Sequence, residues 1–167
     1  MSQDASGLHL FALVCERLGQ LDLALELLTQ AIGILERAYE ETEDQETERR
    51  YAIGHVNLGR VRLAISDHPG AIAAFEVVLG LTEGQEDQSA DHALALIRTQ
   101  ARFGSGLASF KLGQLEDALA SFESALEEVP REMPDVRGHV VILLAQTLWA
   151  IGGEEAQETA KDQLLAW

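Results

Sequence analysis

Five histidines, one cysteine and a dense set of carboxylates are the residues of this chain with chemistry to offer. His9, His55, His68, His92 and His139 stand singly. None forms the i, i+4 histidine pair or the Glu-x-x-His step with which one helix face offers two ligands to a metal ion. The acidic run Glu40–Glu48 could supply oxygen ligands, but it lacks the glycine that bends a calcium loop and reads as a solvated helical face. Serines and threonines are many, yet no G-x-S-x-G turn and no P-loop occurs. Gly104-Ser105-Gly106 has the composition of a phosphate cradle but falls inside a helical pattern, where small residues serve close packing. Cys15 alone can form neither an intramolecular disulfide nor a thiolate cluster. No catalytic residue, metal site or cofactor is expected.

What remains is surface and shape. The chain has 167 residues, 47% apolar and only 5% aromatic, a balance that suits Ala- and Leu-rich helix packing. Its formal charge of -16 repels phosphate backbones and anionic lipids, so neither nucleic acid nor a membrane surface is an expected direct partner. A basic protein fits better. The longest apolar run, Val140–Ala145, is far too short to span a bilayer, and the opening MSQDASG has no leader character. The expected setting is the cytoplasm, with the nucleus second.

The elements that position these residues are helices, and Leu112–Pro130 shows how they are built. After Gly113, the residues Leu115, Ala118, Leu119, Phe122, Ala125 and Leu126 recur at three- and four-residue steps, and Pro130 closes the run. Ala118 and Ala125 form a small seam that lets a neighbouring helix approach closely, with Leu119 and Phe122 filling the gap beside it. The pattern resembles the second half of a tetratricopeptide repeat: Gly106, Gly113, Ala118, Phe122, Ala125 and Pro130 fall on the family's hallmark positions in one register.

Other copies follow from that register. Gly19, Ala24, Leu28 and Ala31 repeat it 94 residues earlier, so a copy is expected halfway, turning at Ser66. It is there, with Gly59, Ala71, Phe75 and Val78 at the matching positions. A degenerate fourth copy begins near Arg137, turns at Gly152 and is still helical in pattern at Leu164, Leu165 and Trp167. That is expected of a terminal helix covering the last repeat or, the favoured reading, of a piece of a longer array. The expected architecture is all-α: a tetratricopeptide-type right-handed solenoid of about four helix pairs in a single domain, 1–167. Its repeats are about 5–37, 52–84, 99–131 and 137–167. The acidic insert 38–50 lacks Gly and Pro and should lengthen the flanking helices. The second insert, Thr82–Asp91, reads as a loop with Ser89 or Asp91 capping the next helix.

By resemblance to the family, the first helices of successive repeats line a concave partner-binding groove. Here that implies Leu10, Leu13, Val56, Phe103, Leu107 and Phe110 as an apolar floor, edged by Arg17, Arg60 and Lys111, with Asn57 among them. Chaperone-binding relatives grip a terminal carboxylate with Lys, Asn and Arg side chains. On those positions only Asn57 matches, while His9, Leu13, Gln100 and Gly104 replace the rest. Such a groove suits an extended or helical partner segment with apolar anchors and an acidic residue or two.

A narrower resemblance lies in Tyr39–Leu81. The tyrosine and acid-Thr-acid segment, the Arg-Tyr-Ala helix entry and the Asn-Leu-Gly-Arg core resemble the scaffold subunits of the superkiller complex. That resemblance implies a non-catalytic scaffold in cytoplasmic, exosome-linked RNA decay, holding an RNA helicase and β-propeller subunits. The alternative is a peptide-binding adaptor of cochaperone or motor-cargo type.

Overall fold

The computed structural model describes residues 4–42, 44–82, 92–130 and 133–166. The chain is all-α, with eight helices among the described residues: α1 Ala5–Arg17, α2 Leu21–Thr42, α3 Gln45–Ala64, α4 His68–Thr82, α5 His92–Leu112, α6 Leu115–Glu128, α7 Pro134–Ile151 and α8 Glu154–Ala166. They form two compact units, Met1–Glu83 and Gly84–Trp167. In the first, α1 packs on α2, α2 on α3 and α3 on α4. In the second, α5 packs on α6, α6 on α7 and α7 on α8, and α5 also touches α7. Each is therefore a pair of helical hairpins stacked on one another, the tetratricopeptide arrangement.

The first three hairpins turn on one chemical device. The N–H of Gly19 donates to Glu16 O at 3.0 Å and that of Gln20 to Cys15 O at 2.9 Å. Gly113 and Gln114 repeat this onto Phe110 O and Ser109 O at 3.1 and 2.9 Å. Ser66 and Asp67 do so onto Leu63 O and Arg62 O at 3.0 and 2.8 Å. This is the Schellman closure, and it needs a left-handed residue at the turn. Gly19 and Gly113 supply it at φ 74° and 77°, and Ser66 adopts φ 63° although it carries a Cβ. The halfway copy thus turns where the spacing places it.

Behind the turns, the helices of a hairpin meet through a small residue facing a large one. A Cβ on Gly59 would lie 2.5 Å from the Phe75 ring, and one on Gly106 would lie 2.8 Å from Phe122. Both phenylalanines are wholly buried. In α1 and α2 the corresponding residues are Ala12 and Leu28, also wholly buried. Both belong to one buried cluster, an alanine standing where the glycine does and the smaller leucine where the phenylalanine does.

The acidic segment after α2's core does lengthen helices. Asp44 breaks the run between α2 and α3, accepting from Thr47 N at 2.9 Å as the N-cap of α3. The hydroxyls of Thr42 and Thr47 donate to its other oxygen at 2.7 and 2.6 Å. These bonds hold the Asp44 carboxyl well below the usual carboxylate range. The expected caps Ser89 and Asp91, and Trp167, lie outside the described residues.

Candidate partner-binding surface

Within the first unit, α1 and α3 are joined by side chains. Arg60 donates to Glu16 Oε1 at 2.8 Å and to Asn57 Oδ1 at 2.9 Å. Asn57 Nδ2 lies 2.8 Å from His9 Nε2. Burial, and then the nearby Arg50 charge, push the His9 imidazole below its ordinary value of 6.5, so the neutral ring accepts from the amide. The helical step explains the alignment: Asn57 and Arg60 are three residues apart on α3, and His9 and Glu16 are two turns apart on α1. Glu16, Arg60, Asn57 and His9 thus form one chain of charge and hydrogen bonds across the unit.

Beside His9 the surface opens into a cavity of about 260 Å³, lined by Ala5, Ser6, His9, Leu10, Leu35, Arg50 and Ile53. Its walls are largely apolar. At its mouth Arg50 donates to Ser6 Oγ at 2.6 Å. The ion pairs seen among the described residues involve Arg60, Arg62, Arg98 and Arg102, and no described carboxylate pairs with Arg50.

The residues expected to line the groove have mixed fates. Leu10 is 65% exposed and lines the cavity. Leu13 is half-buried and Arg17 is exposed. Val56 is interior at 3% exposed, which takes it off any contact surface, and Asn57 at 6% is occupied by His9 and Arg60. In the second unit Phe103 sets its edge against Phe122, centroids 6.1 Å apart, and Phe110 packs against the same cluster around Phe122 and Leu144. Leu107 is half-buried and Lys111 exposed. The structure brings together the α1 and α3 positions in one unit, and Phe103 and Phe110 of α5 with the core of the other.

Three features escaped the sequence. Arg50 and Leu35 line the cavity, although the sequence pattern puts Arg50 in the acidic insert. Its place three residues before Ile53 on one helix was the available signal. A second cavity of about 290 Å³ lies between α7 and α8, lined by Ile142, Ala145, Gln146, Trp149, Ala160, Lys161 and Leu164. His55 is buried beside Tyr51 in an edge-on contact at 4.7 Å, with neither ring nitrogen hydrogen-bonded. Among the described residues no group of three or more His, Cys, Asp or Glu could hold a metal ion. Nor is any helix among them long and apolar enough to cross a membrane.

Residues 87–132 match the tetratricopeptide repeat family. Superkiller protein 3 of Schizosaccharomyces pombe is 28% identical over 96% of this chain, and superkiller protein 3 of Saccharomyces cerevisiae is 27% identical over 92% of it. The chain thus carries a tetratricopeptide-like stretch and is similar to superkiller protein 3 along nearly its whole length. It spans about a tenth of the length of these curated relatives, 11% and 10%. The likeness runs well beyond Tyr39–Leu81, the stretch that carries it most visibly in the sequence. Tetratricopeptide repeats are characteristic of protein-interaction scaffolds.

Proposed function

We propose that this chain is a non-catalytic scaffold segment of a superkiller-type assembly in cytoplasmic, exosome-linked RNA decay, holding an RNA helicase and β-propeller subunits. The observation that carries the reading is the similarity to superkiller protein 3 of two yeasts along nearly the whole of this chain. The charge of -16 supports it, since such a surface holds proteins in preference to RNA. The repeat frame of about 5–37, 52–84, 99–131 and 137–167, with the insert 38–50, belongs to the same reading, as does partner contact through Leu10, Leu13, Arg17, Arg60, Leu107 and Lys111. The terminal-carboxylate grip of cochaperone adaptors is disfavoured, because its one matching residue, Asn57, is spent on His9 and Arg60. The test is reconstitution with purified helicase and β-propeller subunits of the superkiller complex. Co-elution with at least one of them, and none with single-stranded RNA alone, is expected. Elution apart from both subunits would overturn the assignment.

A further inference from the structure

The cavity beside His9 combines an aliphatic interior with a single cation at its rim. Leu10, Leu35 and Ile53 provide the interior, and about 260 Å³ accommodates one branched aliphatic side chain and its neighbours. Arg50 lies at the mouth, held by Ser6 Oγ, with no described carboxylate to neutralise it in a chain of charge -16. The neighbouring Arg60 differs in that Glu16 already satisfies it. His9 adds no charge, because burial and Arg50 keep it neutral and Asn57 holds its Nε2. A guanidinium that now rests on a neutral hydroxyl gains a stronger, charge-assisted bond when a carboxylate arrives.

We propose that this cavity docks an internal acidic-aliphatic segment of a partner protein, the aliphatic side chain entering between Leu10, Leu35 and Ile53 and a neighbouring Asp or Glu meeting Arg50. This rests on the scaffold reading above and names the chemistry its first unit recognises. An internal carboxylate fits better than a chain terminus, because a terminus needs several converging donors and Arg50 stands alone, Asn57 being occupied. The apolar wall gives the affinity and Arg50 the selectivity.

The probe is a fluorescent peptide centred on Glu-Leu-Ile-Glu, N-acetylated and C-amidated so that it carries no terminal carboxylate. Controls are the same peptide with Gln for both Glu, and that Gln peptide as its free acid. Saturable binding is expected, with the methyl signals of Leu10, Leu35 and Ile53 shifting. The affinity falls at least tenfold for the Gln peptide and for the Arg50→Gln chain. Ser6→Ala, which frees the guanidinium, keeps or raises it. Arg50 is half-buried, and an unchanged melting curve establishes that Arg50→Gln folds. Absence of saturable binding, equal binding of both capped peptides, or binding of the free acid only would overturn the proposal. Co-elution with the helicase or β-propeller subunits in the same preparation would then leave the scaffold assignment standing, so the two failures are told apart.

Discussion

The α3–α4 hairpin of the first unit and the α5–α6 hairpin of the second close on the same contact, a phenylalanine ring over a helical glycine. They turn on different residues, Ser66 and Gly113. Their units differ more in what the first helices present. The side chains of α3 carry charge and hydrogen bonds across to α1, whereas those of α5 turn Phe103 and Phe110 into the core around Phe122 and Leu144. Packing within a hairpin is thus fixed by side-chain size, and the outward chemistry is free to vary from unit to unit. This is how one repeat serves as a frame for different partners.

The largest effect is expected where the frame is tightest. Gly59→Ala would drive a methyl into the Phe75 ring and should cost about 2 kcal/mol, measured by urea denaturation. Gly106→Ala, with its longer approach to Phe122, should cost less. Adding Phe75→Leu to Gly59→Ala recreates the Ala12–Leu28 pairing of the first hairpin and should recover part of the loss. If the double variant is as unstable as the sum of its parts, size matching is not what joins the helices.

Ala118→Leu tests the same idea in the second unit. Ala118 is wholly buried on the small seam of α6, and the larger side chain should cost about 1–3 kcal/mol. A neutral result would mean that the seam has slack.

The first unit should also be sensitive to acid. Burial pushes the unpaired His55 below its ordinary value of 6.5, with Arg62 adding in the same direction and Glu36 opposing. Burial and Arg50 lower His9 likewise. Both rings therefore take up protons more readily in the unfolded chain. Stability is retained above pH 6.5 and lost as pH falls below it, with a slope of at most about 1.4 kcal/mol per pH unit for each group. His55→Leu should flatten that slope. An unchanged slope would assign the acid sensitivity elsewhere.

The smallest effect separates the two turns. Ser66→Gly relieves a Cβ at φ 63° and should gain about 0.5 kcal/mol, the larger unfolded-state entropy of glycine offsetting part of the relief. Gly113→Ser should lose a similar amount. Equal and opposite shifts in urea midpoint would establish that the turns are interchangeable.

Spacing makes the frame legible in the sequence. Ser66 could be placed at a turn because glycines on either side marked the period, and Gly59, Gly106, Phe75 and Phe122 could be placed at matching repeat positions on the same grounds. The ring-over-glycine contact and the left-handed φ of Ser66, by contrast, emerge from the fold. The surface was less legible, for two physical reasons. The polar chain from Glu16 to His9 forms between helices far apart in sequence, and the periodicity of one helix does not reveal what its neighbour offers. Arg50 was hidden because a segment rich in charge reads as solvent-facing, although the helix it joins carries it to the cavity mouth. Val56 was misplaced in the other direction: an apolar residue at a groove position is as readily turned inward, and at 3% exposed it is.

The most direct test of the account is amide hydrogen exchange of the intact chain, alone and with the purified helicase and β-propeller subunits. Protection is predicted on α1 and on the first turns of α3 around Arg50 and Ile53, and it should vanish in Arg50→Gln. Protection confined to α5 and α6, or none anywhere under conditions where the wild-type complex is saturated, would contradict it.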